Sequence, residues 1–230
     1  MFYTHNVLYF GTDLDIRLTP KNCSSTLKML YCFSKGLRVQ QADFANPHGL
    51  WPAPEAERSH RQKRIKGNNG EIFRPDSVRV AIKRDPVDRW LSVLNFSYQM
   101  REYVKYYISK GKSFNADLMQ YTELPYLDIG INHAVEYHRE VQYLCSESIS
   151  QHFCAGHVDD YDYVFDVKNF GDCIDLIEKH CGNFHYLERQ VRATAMTKDQ
   201  KRFDKNMLTK KSIETIMEDI YKDDYNNGWY

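Results

Sequence analysis

The chain has 230 residues, 42% hydrophobic and 27% charged, the balance of one ordinary globular domain over residues 1–230 and not of a disordered or fibrous chain. Its 31 basic and 31 acidic residues cancel, so the total favours neither nucleic acid nor an anionic membrane, and any basic site must be local. No run of about 18 apolar residues occurs, the six cysteines form no CxxC pair, and the nine histidines fit no metal template, so we expect reduced thiols and no metal.

Taken in chain order, the first ten residues have neither a basic n-region nor a long apolar stretch, which leads to the expectation of a soluble, unprocessed cytoplasmic protein. Residues 15–19 alternate polar and apolar like a strand, and 20–25 form a polar loop. A helix follows that Ser24 or Ser25 can cap, with Leu27, Leu30, Tyr31 and Ser34 at helical spacing. Residues 45–74 hold three of the seven prolines and read as an irregular excursion. Within it, 58–66 carries five permanent positive charges in nine residues, a solvated loop or a receiver for an acidic glycan.

Order resumes at 78–82, a β-rich run suited to a buried parallel strand, after which Asp85 caps a helix with Pro86 at its first position. Helical patterns cover 87–110 and 133–148, a short strand 163–167, and two more helices 170–181 and 210–221. Strands alternating with helices predict an α/β fold with a partly parallel sheet, whose sites lie beyond the carboxyl ends of the strands.

Two segments carry anion chemistry. Leu18-Thr19-Pro20-Lys21-Asn22-Cys23-Ser24-Ser25-Thr26-Leu27 puts a lysine, three hydroxyls after it and a helix N-terminus directly behind a strand, a geometry receptive to phosphate or sulfate. It is not the ATP-type loop, because GxxxxGK[ST] has no match. The second segment, Arg84-Asp85-Pro86-Val87-Asp88-Arg89-Trp90-Leu91-Ser92, places an arginine at a strand end and a serine on the helix that follows. Trp90 and Leu91 read as core.

The first segment resembles the 5′-phosphosulfate loop of sulfotransferases that use 3′-phosphoadenosine 5′-phosphosulfate (PAPS), with Pro20-Lys21 and Ser24-Ser25-Thr26 as the matching residues. The second resembles the 3′-phosphate motif of the same family. The likeness is closest to the chondroitin- and heparan-type carbohydrate sulfotransferases, and it extends to Tyr161-Asp162-Tyr163-Val164-Phe165 and to a closing Tyr-x-x-Asp segment, Tyr221 to Asp224. It implies a P-loop-NTPase-like sulfotransferase fold with a central, mainly parallel sheet flanked by helices. PAPS would be the donor, PAP the product and a carbohydrate hydroxyl the acceptor, without nucleic-acid or membrane partners.

By the same resemblance, Lys21, Asn22, Cys23, Ser24, Ser25, Thr26, Leu27, Arg84, Arg89 and Ser92 would bind the nucleotide. Lys21 would stabilise the leaving group, and His138 of a His-x-x-x-Gln element ending at Gln142, with Cys145 beyond it, would be the base, with His133 and Glu140 as alternatives. Arg139 and Val141 stand where that element usually has tryptophan and proline, and Lys168 stands where relatives often carry glutamate. Lys198, Lys201 and Arg202 fall where relatives fold a loop over the nucleotide. A tyrosine, lipid or small-alcohol acceptor stays open, as does a noncatalytic anion- or glycan-binding module. Animal members of the family are commonly Golgi-anchored, so a chain without an anchor points to a microbial or viral source.

Overall fold

The computed structural model describes residues 7–34, 73–114, 116–141, 144, 148–182 and 202–230. The basic run 58–66, Gln142, Cys145, Lys198 and Lys201 lie outside the described residues. In chain order the main elements are β1 (Val7–Phe10), β2 (Leu14–Arg17), α1 (Ser24–Ser34), β3 (Val78–Lys83), α2 (Pro86–Ile108), α3 (Ala116–Met119), α4 (Ile131–Val141), α5 (Gln151–Ala155), β4 (Tyr163–Asp166), α6 (Phe170–Cys181), α7 (Lys210–Thr215) and α8 (Lys222–Asn226). The chain divides into two compact units, Met1–Lys83 with Cys154–Ala195, and Arg84–Phe153 with Met196–Tyr230.

The first unit holds a four-stranded mixed sheet in the order β1-β2-β3-β4, flanked by helices. β1 pairs antiparallel with β2, while β2 with β3 and β3 with β4 are parallel. Of this hairpin the alternation at 15–19 marked β2, whereas β1, four consecutive apolar residues, carries no alternation to register. Its turn needs Gly11, whose φ is 53° and where a Cβ would sit 2.6 Å from the His180 carbonyl oxygen.

Strand alternation sorts this sheet into two faces. Leu8, Phe10, Leu14, Ile16, Val80 and Ile82 share one core with Leu27, Leu30 and Tyr31 of α1 and Cys173, Ile174 and Ile177 of α6. Each fully buried aliphatic or aromatic side chain contributes about 2 kcal/mol there. The alternate residues of β2, Asp15 and Arg17, are charged and still buried, so each requires partners. Asp15 accepts from Arg74 Nε at 2.6 Å and from Ser77 Oγ at 2.9 Å, and Arg17 Nε donates to the Cys154 carbonyl at 2.9 Å.

In the second unit, α2 begins as its sequence dictates: the Asp85 side chain accepts the Asp88 N–H at 2.9 Å and Pro86 occupies the first turn. Ile131, Ala134, Val135 and His138 form the buried stripe of α4, and Trp90, Leu91 and Leu94 of α2 belong to the same core. Buried Asn95 ties a later segment to α2, donating to the Phe203 carbonyl at 2.8 Å and accepting the N–H groups of Arg202 and Phe203.

Two helices differ from expectation. α4 is described over Ile131–Val141, and Leu144, which the pattern put in a helix to 148, is not helical, its N–H taken by Ser148 Oγ at 3.1 Å. The pattern at 210–221 is α-helical only to Thr215 and continues as a π-helical turn, Ile216–Ile220. Ile216 and Tyr221 are both core residues, and the wider turn brings side chains five apart to one side, which an α-helix does not. Among the described residues no helix is long and apolar enough to cross a membrane.

Candidate anion-binding site

The first loop lies wholly in the sheet-bearing unit. β2 runs through buried Leu18 and Thr19 into a turn closed by the Asn22 N–H donating to the Thr19 carbonyl at 3.1 Å. Lys21 and Cys23 take left-handed backbone, with φ 66° and 57°, a conformation that costs a non-glycine residue free energy and concentrates at functional turns. Asn22, 1% exposed, fastens the loop to the sheet by donating from Nδ2 to the Ile82 carbonyl of β3 at 2.6 Å. Ile82 stands two residues before Arg84 in the chain.

α1 opens at Ser24, and the Leu27 N–H bonds the Cys23 carbonyl at 2.9 Å. The first helical acceptor is therefore the carbonyl of Cys23, one residue before Ser24. The first-turn N–H groups that follow have no intrahelical partner and carry the positive end of the helix dipole. Thr19 Oγ1 is buried without a hydrogen-bond partner, a state that costs about 1–3 kcal/mol and that an anion oxygen would relieve.

The other loop residues sort cleanly. Lys21, Cys23, Ser24 and Thr26 are partly exposed, while the Ser25 side chain lies outside the described residues. Leu27 is a correction: its side chain is in the core and its N–H is spent on Cys23, so neither can reach a ligand. Burial, reinforced by Cys23, pushes the Cys173 thiol up to about 12, so it stays an inert thiol.

In the second unit Arg84 directly follows β3 and is partly exposed, as is Ser92 on α2. The backbone of Arg84 is held by Gln151, whose Oε1 accepts the Arg84 N–H at 2.9 Å and whose Nε2 donates to the Arg84 carbonyl at 3.1 Å. Arg89, expected to lend charge to a phosphate, is instead 0% exposed, stacked over the Tyr221 ring at 5.2 Å and donating to the Ile149 carbonyl. Its position on α2 turns it into the core beside Trp90, so it acts on buried groups and not on solvent. Trp90 and Leu91 are buried, as expected.

The two histidines of α4 differ in exposure and in hydrogen bonding. His138 is 2% exposed, and its Nδ1 accepts the Trp90 Nε1–H at 3.0 Å. Burial first, and the Arg89 charge second, hold its pKa down at about 4. A neutral imidazole accepting at Nδ1 carries its proton on Nε2, which leaves no lone pair for a substrate proton. His133 is exposed, and its Nδ1 lies 3.0 Å from the Ile129 carbonyl. A carbonyl only accepts, so Nδ1 carries the hydrogen and Nε2 presents the lone pair. Glu140 is exposed at the far end of α4.

Compared with protein-family models, curated proteins and solved structures, the chain matches none of them.

The residues that sequence reasoning missed are Gln151 and Asp224. Asp224 is 0% exposed and accepts the His152 N–H at 2.7 Å, with Gln151 Nε2 3.3 Å from its other oxygen. Burial raises its pKa while the Arg89 charge pulls it down. Asp224 had a signal in the closing Tyr-x-x-Asp segment, though no role followed from it. Gln151 had none, since a lone glutamine at a helix start is unremarkable until its partners are known.

Proposed function

We propose that the chain is a PAPS-dependent sulfotransferase of the P-loop-like type that transfers a sulfonate to a carbohydrate hydroxyl and releases PAP. The observation that carries this reading is a repeated one. Two neighbouring parallel strands, β2 and β3, each pass into a cation-bearing loop and then a helix N-terminus, with Lys21 in the first loop and Arg84 in the second. The buried, unpartnered Thr19 hydroxyl and the left-handed turn at Lys21 and Cys23 fit a tetrahedral anion better than they fit an empty loop.

PAPS, when bound, supplies a sulfonate on a phosphate leaving group. Lys21 would supply positive charge to the leaving phosphate, and the first-turn N–H groups of α1 would orient the phosphosulfate. Arg84 and Ser92 would hold the 3′-phosphate, Arg84 by a charge-assisted fork. The acceptor oxygen would form its bond to sulfur as the bond to the leaving phosphate breaks, and His133 Nε2 would receive the hydroxyl proton. His133 holds this role in place of His138 because it alone of the two presents an exposed lone pair.

Calorimetric titration with PAP tests the nucleotide site without an acceptor. Wild type is expected to bind in the micromolar range, about −8 kcal/mol, and Arg84→Ala to bind about 100-fold more weakly. A folded wild type that ignores PAP overturns the assignment, and PAP binding without turnover of PAPS identifies a noncatalytic module. For the base, His133→Gln is expected to slow sulfonation of an acceptor found by screening with labelled PAPS about 100-fold at unchanged PAP affinity. Equal slowing by His138→Gln alone would return the role to His138.

A further inference from the structure

Arg84 stands between the last residue of a strand and the cap of a helix, where backbone groups need partners from elsewhere in the fold. One carboxamide, that of Gln151, bonds both the N–H and the carbonyl of Arg84. The amide is fixed in orientation, because the Arg84 N–H can only donate and the Arg84 carbonyl can only accept. Gln151 is 0% exposed, and its Nε2 also lies 3.3 Å from Asp224 Oδ2. Asp224 is itself wholly buried, holds the His152 N–H at 2.7 Å through its other oxygen, and is fastened through its own carbonyl to the Trp229 N–H at 2.9 Å.

Burying a carboxylate and a carboxamide is costly unless they are hydrogen-bonded, and here their bonds go to the backbone of Arg84 and His152. What this geometry does is restrain the backbone of a single arginine from two sides, using residues 67 and, through Asp224, more than a hundred positions further along the chain. An arginine that reads a phosphate by a planar fork depends on how its backbone is set, since a small rotation there displaces the guanidinium by ångströms.

We infer that Gln151 and Asp224 are positioning residues for Arg84, so that the Tyr221 to Asp224 segment near the end of the chain takes part in selecting a nucleotide with a 3′-phosphate. The inference rests on the reading of Arg84 as the 3′-phosphate ligand.

The test is the ratio of affinities for PAP and for AMP, which lacks only the 3′-phosphate, measured by calorimetry on the full chain. Wild type is expected to prefer PAP about 100-fold, and Arg84→Ala to lose that preference. Gln151→Ala is expected to lower the preference about tenfold with AMP affinity unchanged, because the fork is loosened but present. Asp224→Asn, which keeps the shape and one acceptor oxygen, is expected to lower it less, and it serves if Gln151→Ala does not fold. An unchanged ratio in a folded Gln151→Ala overturns the inference, as does an equal fall for both nucleotides, which marks a purely structural role. A wild type with no preference for PAP overturns the reading of Arg84 itself, and that failure is visible before any variant of Gln151 is made.

Discussion

Replacing Lys21 by alanine is expected to lower the turnover of PAPS by about 100- to 1,000-fold while PAP affinity changes by no more than about threefold. The asymmetry follows from where the charge is needed. In the donor the negative charge is spread over sulfonate and phosphate, but as the S–O bond breaks it gathers on the bridging oxygen, and an ammonium placed there is worth far more than in the ground state. The left-handed backbone at Lys21 is no obstacle to the comparison, because alanine meets the same steric cost at φ 66° as lysine does. Lys21→Arg keeps the charge but spreads it over a larger fork, so only part of the rate is expected to return. Single-turnover decay of labelled PAPS to PAP, with water as the acceptor, reads this without knowledge of the natural one. Equal losses in turnover and PAP affinity would make Lys21 a binding residue only, and an unchanged turnover would remove it from the chemistry.

Acid is expected to destabilise the fold through His138, with the loss confined to the interval between about 6.5 and about 4. An unfolded imidazole titrates near the upper value, whereas in the fold burial and then Arg89 hold His138 at the lower one. Between them the unfolded chain binds a proton that the native state refuses. Stability is therefore complete above 6.5, falls as the pH drops through the interval, and levels off below 4, the gap amounting to about 3 kcal/mol. Asp224 works with the opposite sign, since a carboxyl raised by burial binds its proton more readily in the native state and recovers stability as the pH falls. His138→Gln isolates the histidine, because glutamine can accept the Trp90 N–H without titrating. Urea unfolding at a series of pH values should show wild type losing about 3 kcal/mol relative to this variant between pH 7.5 and pH 4. Parallel curves for the two proteins would show that His138 is not the acid-sensitive group.

The local features of the loops around Lys21 and Arg84 were legible because their causes are local. Asp85 and Pro86 specify a helix start whatever lies around them, and α2 opens there; helix 170–181 was readable to the residue from its periodicity. The parallel strand at 78–82 and the turn at Pro20 likewise follow from β-branched residues and proline within a few positions. The short β1 strand was not legible, since it gains its partner only when the Gly11 turn closes.

Sequence by itself determined the α/β class, the strand, loop and helix order around Lys21 and Arg84, and the chemical character of those loops. Only the tertiary structure decided which side of a helix is inside. It buried Arg89 and Leu27, gave His138 to Trp90, left the His133 lone pair exposed, and widened the turn at Ile216 so that Tyr221 could reach the core. It also joined Gln151 and Asp224 to Arg84 across long stretches of chain. Helical period and caps are set by neighbours a turn away, whereas burial and hydrogen-bond partnership are set by whichever distant segment packs against the face, and that information is not local to any motif.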